Sequence, residues 1–139
     1  MPRSFRVSLV AIAALCGSYF AMQGIDFSLA VEPEHHSAAS SVVWFMFGAV
    51  LFAPLWVPAV IPARYARTLA VFRRIGALGA LVFALGFGTI VTHNIGRSIS
   101  GLGVVPDALF QGLVLSLSCV AAIVLLLWSD LGSLVKGRA

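Results

Sequence analysis

PARYARTLAVFRR, residues 62–74, sets four arginines (Arg64, Arg67, Arg73 and Arg74) between two long apolar runs, 42–61 and 75–92. A short basic connector between two such runs marks a hairpin turned toward the cytoplasm, because cationic loops are retained on that side of a membrane. Working outward, two more apolar runs occupy 7–25 and 108–129. About 20 apolar helical residues cross a hydrocarbon core of about 30 Å, so each of the four runs is long enough to span. Helix is the expected form, because lipid offers the backbone no hydrogen-bonding partners and the alternation of a barrel strand is missing. The reading is an all-α, integral membrane four-helix bundle in one domain.

The remaining charges agree with that plan. Arg3 and Arg6 precede the first run, and Lys136 and Arg138 follow the fourth, on the same side as residues 62–74. Only Arg97 is basic on the opposite side, where Asp26, Glu32, Glu34 and Asp107 lie; Asp130 alone is acidic on the basic side. This asymmetry predicts cytoplasmic N- and C-termini, with outer connections at 26–41 and 93–107. Composition excludes a water-soluble fold of this size: of 139 residues 60% are hydrophobic and 10% charged, with mean hydropathy +1.04. The first run continues past the 7–15-residue core of a secretory signal and reads as an anchor. A bacterial cytoplasmic membrane is the expected location, with the lipid bilayer as first partner and no nucleic-acid partner.

Two features shape the expected interior. Gly76, Ala80, Ala84 and Gly88 recur every four residues in the third run, and Ala13, Gly17 and Ala21 do so in the first. Small residues on one helix face let backbones approach closely, which is what drives helix association in lipid. Internal packing is favoured for these stripes over docking to another subunit. In the second run Pro54 and Pro58 each remove an amide donor and crowd the carbonyl four residues earlier, predicting a kink with carbonyls in need of partners. Cys16 and Cys119 fall near mid-depth of the first and fourth runs without metal or redox spacing, and read as small packing residues.

Sites for chemistry are sparse. His35, His36 and His93 fall on the outer side with several carboxylates and are weak candidates for copper or zinc, since neither HxH nor HxxxH spacing supports them. The segment GRSISGLG, 96–103, lacks the GK[ST] ending of a phosphate loop and reads as a flexible turn. Arg64, Arg67, Arg73 and Arg74 suit anionic lipid headgroups, although ordinary topology-setting charge explains them with no dedicated lipid site and is the favoured reading. No Asp, Glu, Lys or Arg lies in the centre of any run, which removes the usual machinery of proton-coupled transport and voltage sensing. No nucleophile–base spacing marks an enzyme, and no cofactor is expected.

Function is accordingly read as that of a small non-catalytic accessory or scaffolding subunit, packing against itself or another membrane protein. An oligomeric channel or carrier for a small neutral solute is the second reading, with the proline-broken run bordering the route. A redox or metal-handling subunit using the three histidines ranks third.

Overall fold

Ser37 shows how locally the helices are specified. Its extended backbone (φ −139°, ψ 170°) lets its hydroxyl accept the Ser40 amide at 3.3 Å, and helix α2, Ala38–Leu51, starts there. In the computed structural model, which describes residues 1–137, every regular element is helical: α1 Arg3–Val31, α2, α3 Ala53–Val60, α4 Ala66–Ile99 and α5 Pro106–Lys136. A short 3-10 turn, Pro33–His35, joins α1 to α2. Arg138, counted above among the inner cations, lies outside the described residues. Helices α1, α4 and α5 are each long and apolar enough to cross a membrane. The pair α2 and α3 passes the same measure only when taken together.

That pair occupies the run 42–61, where the prolines predict a kink. The helix breaks at Phe52 and turns by 69°. Pro54 is the cause: it has no N–H for the Val50 carbonyl, and its ring crowds the preceding turn, so the residues before it cannot continue as helix. Pro54 then occupies the first turn of α3, where a missing donor costs nothing, whereas Pro58 is carried inside α3. The Trp56 indole donates to the Ala49 carbonyl at 2.8 Å, so one acceptor exposed by the break is met locally.

Small residues set the helix contacts. Gly17 on α1 lies against the Gly48 carbonyl on α2, and a side chain added at Gly48 would press on the Gly17 backbone. Gly76 on α4 lies against the Pro54 carbonyl, with the Pro58 ring and the Leu126 side chain beside it. Antiparallel α4 and α5 keep one register through Gly76 with Leu126, the Ser116 hydroxyl donating to the Ala84 carbonyl at 3.2 Å, and Ile90 with Gly112. The core is closed by Leu9, Cys16, Phe52, Leu55, Leu115, Cys119 and Leu126, all essentially buried. Large apolar side chains such as Phe27, Val50, Leu78, Val82 and Phe110 face outward, as no water-soluble surface would tolerate in such number.

Contacts between helix ends order the bundle. Arg6 at the start of α1 donates to the Ala59 carbonyl at the end of α3, and Phe5 packs edge-on against Trp128 of α5. Arg73 at the start of α4 reaches Leu126 and Asp130 on α5. The starts of α1 and α4 and the ends of α3 and α5 thus share one end, here termed the basic end. At the far end lie the α1–α2 and α4–α5 connections, where Gly101 and Gly103 take positive φ (71° and 79°) in the turn before α5.

Candidate functional site: an aromatic cleft between α1, α2 and α4

Because α3 swings away from the axis of α2, α2 rests almost wholly on α1 and leaves α4 uncovered above the break. A cleft of about 370 Å³ opens there. Tyr19, Phe20 and Gln23 of α1 form one wall, Val82, Phe83, Gly86, Phe87 and Ile90 of α4 the other, and Leu51 and Phe52 the base. Its floor is a connected aromatic set: Phe52 and Phe83 have ring centroids 4.4 Å apart, Phe52 and Phe87 stack at 6.2 Å, and Tyr19 meets Phe87 edge-on at 6.0 Å. Buried Phe52 fixes the floor while half-buried Phe20, Phe83 and Phe87 remain partly uncovered. Gln23 supplies the one amide side chain on the rim. Chemically the lining is apolar and aromatic and suits dispersion contact with a long apolar group, with no acid–base pair among its residues.

The far end holds the polar features. Buried Asn94 donates to the Ile90 carbonyl and accepts the Val105 amide, both at 3.0 Å, so it fixes the turn to the entry of α5. Arg97 donates to the Gly103 carbonyl at 3.3 Å. An open groove of about 800 Å³ runs past Thr89, Ile90, Thr92, His93, Asn94, Arg97, Val105 and Ala108. A separate depression of about 430 Å³ is lined by Phe27, Ser28, Val31, Glu32, His35, His36 and Ser40. His93 and the His35–His36 pair therefore open onto different cavities. Exposed His35 lies 3.5 Å from Glu32 and 3.8 Å from Glu34, and His36 bonds Ser41 at 3.1 Å. Among the described residues, no three His, Cys, Asp or Glu side chains gather as a metal ion would need.

The small-residue stripes lie inside the bundle. Ala13, Gly17, Ala21, Gly76, Ala80 and Ala84 are buried, and only Gly88 is half-exposed, near the Ser116 hydroxyl. Cys16 and Cys119 meet across α1 and α5 with sulfurs 3.9 Å apart, both fully buried. The four arginines divide. Arg64, Arg67 and Arg74 are exposed, with the Arg64 guanidinium 4.9 Å over the Tyr65 ring. Arg73 is turned into the bundle, donating to the Leu126 carbonyl at 2.8 Å and lying 3.3 Å from Asp130.

Sequence reasoning passed over the cleft residues. The i, i+4 pair Phe83 and Phe87, and Phe52 two residues before Pro54, were the available signals, since a proline break strips cover from whatever flanks it. Compared with family models, curated proteins and solved structures, the chain matches none.

Proposed function

We propose that this chain is a non-catalytic accessory protein of the membrane whose work is to bind, holding the apolar chain of a lipid in the cleft between α1, α2 and α4. One observation carries the reading: the cleft combines aromatic walls with a floor built by the break at Phe52, and no formally charged side chain lines it. An empty cleft of that size in hydrocarbon would forfeit the dispersion contacts of its walls, so an occupant of acyl character is favoured. The second reading, a solute route, draws less support, because Leu9, Phe52, Leu55, Leu115 and Leu126 fill the bundle axis.

We read the bent pair α2–α3 as one crossing, giving four. It follows α1 from the Trp44–Ser28 hydrogen bond down to the Arg6–Ala59 hydrogen bond, or about 33 Å of α1 at 1.5 Å per residue, which matches a hydrocarbon core. With seven of the eight described Lys and Arg residues toward one end, we place both termini in the cytoplasm, in a bacterial inner membrane.

The test is retention of lipid. Purified in mild detergent, the protein should carry one co-isolated lipid by native mass spectrometry, and Val82→Trp, which fills the cleft from its exposed lip, should release it. A lipid-free wild type, or equal retention by the variant, would end this reading. A reporter fused after Lys136 should be active only as a cytoplasmic one.

A further inference from the structure

The cleft and the far-end groove share Ile90, and their α4 residues lie on one face. Phe83, Gly86, Ile90, His93 and Arg97 follow each other by three or four residues, so a single stripe leads from aromatic walls to a cation. From Phe83 to Arg97 is 14 residues, about 21 Å at 1.5 Å per residue, which is the depth of one leaflet with its headgroups. The apolar part of the stripe, Phe83 to Ile90, covers the chain region; His93 and Arg97 stand where a headgroup would lie.

Charge separates this side of the far end from the other. Arg97 is the one Lys or Arg at that end among the described residues, and it opens onto the α4–α5 groove. Glu32, with Glu34 beside His35, belongs to the depression on the α1–α2 side. Within the groove lining Arg97 carries the one formal charge; Asp107, between Val105 and Ala108 in sequence, is not part of that lining. Arg97 donates to the Gly103 and Leu102 carbonyls at 3.3 and 3.5 Å, both long bonds at a partly exposed site, so its guanidinium can exchange a carbonyl for a charged acceptor.

Resting on the cleft-binding reading above, we infer that the occupant is a lipid with an anionic phosphodiester headgroup in the leaflet at the far end. Its chain lies along Phe83, Phe87 and Ile90, and its phosphate oxygens accept from Arg97 and from the His93 ring. The lipid thus binds in one orientation, tail toward the break and phosphate toward the α4–α5 turn.

The experiment compares phosphatidylglycerol with phosphatidylcholine of the same chains, each titrated into delipidated full-length protein and read by native mass spectrometry. Wild type should prefer phosphatidylglycerol by about fivefold, the worth of one basic residue at a membrane surface. Arg97→Gln should remove that preference, weakening phosphatidylglycerol more than phosphatidylcholine, whose phosphate charge is already offset by its own choline cation. Gly86→Leu, built where an added side chain meets nothing within 4 Å, should weaken both lipids by about tenfold, the worth of roughly two buried methylenes. Val82→Trp does the same from one turn nearer the break on the same wall, in case Gly86→Leu fails to fold. Equal binding of both lipids, or an undiminished preference in Arg97→Gln, overturns the anionic-headgroup assignment while the cleft reading stands. Equal binding by wild type and both cleft-filling variants overturns the cleft reading itself.

Discussion

The two ends of the bundle are built from the same kinds of residue and packed in opposite ways. At the basic end α3 lies between α1 and α4, and glycine and proline bring backbones into contact at Gly76 and Pro54. Long cationic side chains then close the helix ends, Arg6 on the Ala59 carbonyl and Arg73 on the Leu126 carbonyl. Toward the far end α2 leans on α1 alone, and large rings rather than backbone contact face the space beside α4. The difference teaches that one helix break does two jobs. It drives α3 inward, where small residues receive it, and by the same rotation it uncovers α4 and leaves an aromatic cleft.

Phe52 sits on that joint, and truncating it should have the largest effect. It is 2% exposed and touches both Phe83 and Phe87. Phe52→Ala should lower unfolding stability by about 3–5 kcal/mol, the usual range for a buried phenylalanine. Unfolding in mixed detergent micelles measures this; a loss below about 1 kcal/mol would mean the two halves do not meet through this ring. Next in size is a glycine contrast. Gly76→Ala forces a methyl group against the Pro54 carbonyl, with backbone on the far side that cannot swing away, and should cost about 1–3 kcal/mol. Gly86→Ala meets nothing within 4 Å and should be neutral or stabilising by up to about 1 kcal/mol, since alanine is the better helix former. Equal effects from the two alanines would erase the distinction between a tight end and an open cleft.

Much of this was legible from local pattern, because local rules govern it. The apolar runs gave helices in the expected places, Ser37 caps α2, and Pro106 opens α5 after a turn with two positive-φ glycines. The helices outrun the expected spans, however. α4 extends from Ala66 to Ile99, so much of the basic connector and part of the outer one are helical. The second run was read as bent by Pro54 and Pro58, and the break falls at Phe52. Proline acts on the turn before it, so the damage falls N-terminal to Pro54 and not between the two prolines. The cleft was not legible at all, since it depends on where α3 goes after the break, a non-local outcome. Tryptophan commonly populates membrane interfaces, yet Trp44 and Trp56 each use the indole N–H inside the fold, on the Ser28 hydroxyl and the Ala49 carbonyl. Nothing in the spacing distinguishes those roles.

Arginine provides the next contrast, within the basic end itself. Arg73→Met removes two donor contacts at the α4–α5 seam, one to a helix carbonyl and one to Asp130, while its stem keeps much of its packing. The expected loss is about 1–2 kcal/mol, tempered because Asp130 is 46% exposed and water takes over part of the interaction. Arg67→Met, at an exposed site, should leave stability within about 0.5 kcal/mol. If both substitutions cost the same, the inward turn of Arg73 has no structural consequence and all four arginines act alike.

A smaller loss than that at Arg73 should come from the Trp44–Ser28 hydrogen bond at the far end. Trp44→Phe keeps an aromatic ring against Phe20 and beside Gly24 but deletes the 2.9 Å N–H bond to the Ser28 hydroxyl. That hydroxyl can turn back to a carbonyl of its own helix, as Thr92 and Ser118 do, so little desolvation cost is left behind. Side-chain hydrogen bonds within membrane bundles average about 0.6 kcal/mol, and a loss of that order is expected. Hydrogen exchange gives the finer readout: amides near the start of α2 should exchange faster, while those of α3, held by α1 and α4 together, should not change. Faster exchange spreading through α3 would mean that α2 and α3 open as one unit, and the break at Phe52 would then be a bend in a single rod rather than a boundary between two differently anchored halves.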